Sequence, residues 1–155
     1  MPIDFLQLAI DLARRGMHAN AGGPFGAVVV QDGVIVGQGW NQVTSTNDPT
    51  AHAEIVAIRD ASRALDTYIL SECEIYSSCE PCPMCLAAIY WARIQRLCYA
   101  ASGSDAAAIG FDDELIRREI QLPAHERQMP CIQRSSEAAL ALFREWSAKP
   151  DRLSY

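Results

Sequence analysis

Residues 73–100, CEIYSSCEPCPMCLAAIYWARIQRLCYA, decide the fold. The stretch opens as a short strand over 73–77. Cys82-Pro83 then starts a helix, with proline accepted in its first turn. Met84, Leu86, Ala88, Ile89 and Tyr90 carry that helix to about Trp91, and residues 94–100 return as a strand. Two strands separated by a helical crossover pair in parallel, because a parallel connection needs about a dozen residues or more.

Working outward from this unit, the preceding segment holds a helix over about 51–65, opened by Asp48-Pro49-Thr50, after a polar loop at 41–47. Before it, strands at 25–30 and 34–40 flank Gln31-Asp32-Gly33, which reads as a hairpin turn. Gly22-Gly23-Pro24 breaks the chain ahead of the hairpin. A helix over 4–18 leads, with Leu6, Leu8, Ala9, Ile10, Leu12 and Ala13 as its apolar positions. On the other side, residues 111–119 and 135–146 read as helices, 129–132 as a short fifth strand, and 147–155 as a tail without a period. The expected architecture is α/β: a mixed central sheet of about five strands with helices on both faces.

The chain has 155 residues, which suits one domain spanning 1–155, with enough length to bury a core without disulfides. Half the residues are apolar and 21% are charged, an ordinary globular mix. Apolar runs fall well short of the roughly 18 residues that a membrane span needs. Residues 1–10 carry no basic residue ahead of their apolar positions, so they do not read as a secretory leader. The cytoplasm is the expected compartment, with all six cysteines reduced. The net charge is −6, Lys149 is the one lysine, and the arginines are scattered. A nucleic-acid grip usually needs a basic stripe, so a small-molecule substrate is expected instead.

The chemistry sits in two short runs. His52-Ala53-Glu54 is followed, 27 residues after the glutamate, by Pro81-Cys82-Pro83-Met84-Cys85. One imidazole and two thiolates suit zinc in a catalytic site, where three protein ligands leave a fourth position for water. His52, Cys82 and Cys85 all fall where helices begin, and helix N-termini favour thiolates. Glu54, two residues past His52, would stand beside the metal in the first turn rather than bind it. A structural zinc site would need a fourth ligand, for which Cys79 is the candidate. Cys79, Cys82 and Cys85 also imitate an iron–sulfur run, but Ile89 and Tyr90 stand where its next cysteine and proline belong. Cys73, Cys98 and Cys131 read as inert core thiols.

The H-x-E and P-C-x-x-C pair is the mark of the zinc-dependent nucleobase deaminases, and the chain resembles that superfamily over nearly its whole length. Within it, Gly22-Gly23-Pro24-Phe25-Gly26-Ala27, Asn41, residues 47–54, residues 78–85, Phe111-Asp112-Asp113 and the terminal Tyr155 are similar to the bacterial guanine deaminases. The resemblance implies a cytidine-deaminase-like three-layer α/β/α fold and one zinc per chain, held by His52, Cys82 and Cys85. It implies that Glu54 shuttles protons while hydroxide attacks the amino-bearing ring carbon of a purine base. Asn41 would meet the purine edge, Ala53 would donate its backbone N–H, and Phe25 and Trp91 would pack against the flat base. Asp113 would accept from the guanine N–H groups, and Tyr155 would close the pocket. It further implies a homodimer in which the segment at about 147–155 is exchanged between subunits.

Plainer roles stand beside these. Trp91 can be core, Asp113 a helix-start residue, Asn41 a turn cap, Tyr155 a loose chain end, and Glu80 a structural hydrogen-bonding group. The competing functions are deamination of transfer-RNA adenosine, which the acidic composition disfavours, deamination of another small amino-heterocycle, and a non-enzymatic zinc module.

Overall fold

The computed structural model describes residues 3–155; residues 1 and 2, the start of the segment read above for a leader, lie outside it. The chain forms two compact units, Met1–Asp113 and Glu114–Tyr155. The first unit runs α1 (Phe5–His18), β1 (Gly26–Gln31), β2 (Val34–Trp40), α2 (Val43–Thr46), α3 (Ala53–Leu65), β3 (Cys73–Cys79), α4 (Pro83–Trp91), β4 (Arg96–Ala101) and α5 (Gly103–Ala108). The second holds α6 (Glu114–Glu119), a single 3₁₀ turn (Ala124–Glu126) and α7 (Glu137–Ala148). No helix among the described residues is long and apolar enough to cross a membrane.

The sheet is mixed, in the order β2-β1-β3-β4. β1 runs antiparallel to both its neighbours, and β3 pairs in parallel with β4, the pairing that residues 73–100 demand. The β1–β2 hairpin turns on Asp32 (φ 50) and Gly33 (φ 76), two successive positive-φ residues. That is the two-residue geometry whose twist matches the flanking strands.

β1 is buried on both faces, and its alternation assigns a face to each helix. Val28 and Val30 pack with Leu12, Phe5 and Leu8 of α1. Ala27 and Val29 pack in a second cluster with Ala53, Ala57 and Ala61 of α3, Ile75 of β3 and Ile89 of α4. On β2, a Cβ at Gly37 would lie 2.4 Å from the Ala57 carbonyl oxygen, and one at Gly39 would lie 2.6 Å from that of Ala53. The α3 backbone therefore rests almost directly on the β2 backbone, with little more than the Ala61 methyl and Val56 Cβ at the contact.

Four strands are present among the described residues, not five. Residues 129–132 form no ladder. Pro130 has no N–H to give a partner, Met129 and Ile132 are both exposed, and the neighbouring Gln128 N–H donates to Glu119 at 2.7 Å. Cys131 is accordingly not a core thiol; its Sγ donates to the Met129 carbonyl. Residues 41–47 contain the short α2 rather than only a loop, and α3 begins at Ala53, because Asp48 and Thr50 close a side-chain turn first (Thr50 N–H to Asp48 Oδ1, 2.8 Å). α5, which the sequence reading did not include, opens with a capping box, Ser102 with Asp105 three residues on, and both of its hydrogen bonds form.

The seating of α3 on glycine backbone makes a specific prediction. Gly39→Ala should destabilise the protein by about 1–3 kcal/mol, the usual penalty for overpacking. Denaturant unfolding of the variant at wild-type stability would show that the helix can lift away at no cost.

Candidate active site

The carboxyl ends of β2, β3 and β4 lie at one edge of the sheet, together with the start of β1, as the strand directions require. The chain leaving each strand is tied there. Gln42 N–H donates to the Ala51 carbonyl at 2.9 Å, joining the exit of β2 to the entry of α3. Gly26 N–H donates to Ser78 Oγ at 3.0 Å, joining the start of β1 to the end of β3. Glu80 N–H donates to the Ala101 carbonyl, and Gly103 N–H donates to Glu80 Oε2, each at 2.8 Å. Glu80 is thus a structural anchor that holds the loop before Cys82 against the start of α5.

Two helices open at this edge. His52 is the N-cap residue of α3, and Cys82 is the N-cap residue of α4, with Pro83 at the first helical position. Both have extended backbones, and neither side chain caps its own helix. They turn toward each other instead. Cys82 Sγ lies 3.5 Å from His52 Nδ1, and Cys85 Sγ lies 3.4 Å from the same nitrogen. The donor atoms of His52, Cys82 and Cys85 all fall within 4.8 Å of one another. Tetrahedral zinc, with bonds of about 2.3 Å to sulfur and about 2.0 Å to nitrogen, sets sulfur–nitrogen separations of about 3.5 Å. The donor chemistry and spacing fit zinc. Cys79 does not join the cluster, since its Sγ donates to the Ser102 carbonyl at 3.5 Å. Neither the four-ligand structural site nor the iron–sulfur run is assembled.

The protonation of the cluster follows from its contacts. The Cys82 thiol is pulled down to about 4 by a hydrogen bond from Cys85, and His52 lowers it further. Cys85, which gives that bond and is buried close to Glu54, is driven strongly upward. Ligation needs thiolates, so a bound cation would take the place of thiol protons here. His52 is raised by its hydrogen bond to Cys82. Glu54 is only 6% exposed, and burial raises its pKa. Its Oε1 accepts a hydrogen bond from Ser77 Oγ at 3.3 Å.

The other residues named from sequence divide into groups. Ala53 is fully buried at the first position of α3, where backbone N–H groups have no partner within the helix. Asn41 is buried, and its Oδ1 accepts from Gly23 N–H at 3.3 Å and from Val43 N–H at 3.1 Å. What Asn41 can offer a ligand is therefore its Nδ2 donor. Phe25 meets Phe111 edge to face, with ring centroids 4.9 Å apart, and this brings the Phe111-Asp112-Asp113 run to the Asn41 corner. Asp113 is half-buried at the close of the first unit. Trp91 ends α4, at the far end of the helix from Cys82, and is 67% exposed. Tyr155 ends the second unit with its side chain exposed. Two contributors escaped the sequence reading. Phe111 was part of a motif without a stated contact, and Ser77 looked like any strand residue, although a hydroxyl in the apolar row Cys73-Ile75-Ser77-Cys79 was a visible anomaly.

Fold and donor set together define a zinc-site protein built on an α/β sheet, and its relatives narrow the class. The family model of the cytidine and deoxycytidylate deaminase zinc-binding region matches residues 2–101, and the chain belongs to that family. It is 51% identical to the guanine deaminase of Bacillus subtilis over 151 residues, 97% of each chain. The X-ray structure of guanine deaminase from Bacillus subtilis superposes with a TM-score of 0.95, covering 97% of this chain and 96% of that one. A tRNA-specific adenosine deaminase of Haemophilus influenzae is 37% identical over 137 residues, 84% of this chain and 79% of its own.

The ligand assignment has a direct check. His52→Ala and Cys82→Ala should each lose the metal, whereas Cys79→Ala should keep one zinc per chain by elemental analysis. Retention of full zinc by the first two variants would break the assignment.

Proposed function

We propose that this chain is a zinc-dependent deaminase that hydrolyses guanine to xanthine and ammonia. The observation that carries the reading is the buried Glu54 carboxylate, two residues from His52, where the imidazole and both thiols converge. Zinc held by His52, Cys82 and Cys85 would supply Lewis acidity and a hydroxide nucleophile at neutral pH. Glu54 would take one proton from the attacking water and pass it to a ring nitrogen of the base, then take the second from the hydroxyl now on C2 and give it to the amino group that leaves. A carboxyl whose pKa is raised by burial suits that traffic better than one at its solution value. Electron flow balances: a C–O bond forms at C2, the C–N bond breaks, and the amine departs as ammonia.

The remaining roles rest on position and on the relatives. Asn41 presents its Nδ2 donor to the purine edge. Phe25, braced by Phe111, packs against the ring. The Ala53 N–H faces the reacting oxygen, and Asp113 accepts from the N–H groups of guanine. Trp91, which ends α4 with its ring largely exposed, is the second aromatic proposed to pack against the base. The acidic charge and single lysine favour a free base over transfer RNA. Thiol ligands need reducing surroundings, which favours the cytoplasm. The fold is read as three layers, α/β/α.

The second unit supports a homodimer, with the segment at about 147–155 exchanged and Tyr155 closing the partner's site. The helices α6 and α7 have no buried residue. Leu140, Leu142, Phe143 and Trp146 of α7 are all exposed, as is Tyr155. So much uncovered apolar surface calls for a partner, and exchange of an identical element is a low-cost route to a symmetric dimer.

Two measurements test these statements. Glu54→Gln should keep zinc and fold while kcat for ammonia release from guanine drops by about 10²–10⁴, the range for a lost proton shuttle; in a panel with adenine, cytosine, nucleosides and a transfer-RNA stem-loop, guanine should be preferred. Equal turnover of adenine, or near-normal kcat in Glu54→Gln, would overturn the reading. Removal of residues 151–155 should abolish most turnover but retain zinc, and mixing that truncated chain with full-length Glu54→Gln should recover activity. Full activity of the truncated protein would remove the tail from the site.

A further inference from the structure

We infer that Ser77 is a positioning residue for Glu54: its hydroxyl, from within the sheet, fixes the orientation of the carboxylate that moves the proton. The inference rests on the deaminase reading above and adds to it a residue from β3, behind the metal-ligand motifs.

The geometry comes from strand alternation. Cys73, Ile75, Ser77 and Cys79 occupy every second place on β3, and all four are buried. Cys73 and Ile75 belong to the apolar cluster that α3 and α4 cover. Ser77 continues that row and is 1% exposed. Position by position, an aliphatic side chain is what the row calls for. A hydroxyl there is tolerable only with a partner, since a buried polar group without one is costly. Its partner is Glu54 Oε1, at 3.3 Å. Across the sheet Ser77 stands opposite Ala27 of β1, itself fully buried. From beside this small neighbour the Ser77 hydroxyl reaches Glu54 in the first turn of α3.

A carboxylate has two oxygens, and proton transfer uses one at a time. A donor on Oε1 restrains the side-chain torsions and presents Oε2 to the reacting groups. Ser77 supplies that donor from the strand, at 3.3 Å. It touches neither substrate nor metal ligand in this scheme. Its effect reaches the chemistry through Glu54 alone. Orientation matters most in the transition state, so the loss should fall on kcat rather than on KM.

The test uses the zinc-loaded full-length protein and guanine. Ser77→Ala should keep one zinc per chain and a KM within about two-fold, while kcat falls about 10- to 100-fold, the range for a lost hydrogen bond to a charged group. Ser77→Thr, which keeps the hydroxyl, should recover most of that kcat. In a Glu54→Gln background, Ser77→Ala should change the residual rate little, because its effect passes through the missing carboxylate. A merely structural role would instead lower both backgrounds equally and leave Ser77→Thr no better than Ser77→Ala. Should Ser77→Ala fail to fold, Ser77→Val, which has the shape of threonine without the hydroxyl, is compared with Ser77→Thr under the same criteria. Wild-type kcat in the folded alanine or valine variant overturns the role of Ser77. A wild-type protein that releases no ammonia from guanine overturns the functional reading instead, and the two failures are separable.

Discussion

The contact on which the site depends is the seating of α3 on β2. Gly37 and Gly39 present bare backbone, and Ala53, Ala57 and Ala61 present methyl groups, so helix and strand approach as closely as two main chains can. This approach sets the height of α3 above the sheet. His52 and Glu54 belong to the first turn of that helix, and their side chains reach the thiols and Ser77 only if the helix sits that low. Larger residues along the contact would add apolar area, yet they would lift the imidazole from sulfur atoms now 3.4 and 3.5 Å away. Close packing here serves geometry before it serves stability.

The second constraint is electrostatic. Two helix N-termini face one point, and each contributes positive potential there. The hydrogen bond from Cys85, followed by the imidazole, favours a thiolate at Cys82, while Glu54 is buried close enough that thiolate and carboxylate oppose one another. A divalent cation settles this opposition, because it adds the largest local charge and inverts the cost of the anions around it. The buried acid and the clustered thiols are costly for a bare scaffold and reasonable for a zinc enzyme.

The two units differ in how they are held. In the first, a double-sided sheet buries Val28, Val29 and Ile75 completely. In the second, α6 and α7 bury nothing. Its local order comes from short-range polar contacts such as Arg127 Nε donating to the carbonyls of Glu119 and Leu122.

Much of this could be read from sequence, because the signals were local. The parallel strand pair of residues 73–100, the Asp32-Gly33 turn and the Pro83 helix start each depend on a few neighbouring residues, and so do the donor types in H-A-E and P-C-P-M-C. The fifth strand failed because a strand exists only through its partner, and residues 129–132 had the right composition with no ladder to join. Ser77 and Phe111 acquired their roles from chain segments 23 and 86 residues away, Glu54 and Phe25. The sequence by itself determined the chemistry available, since thiols, imidazole and carboxylate are properties of residues. Only the tertiary structure decided which of them meet, because burial, hydrogen-bond partners and the edge of the sheet on which side chains converge are set by distant backbone packing.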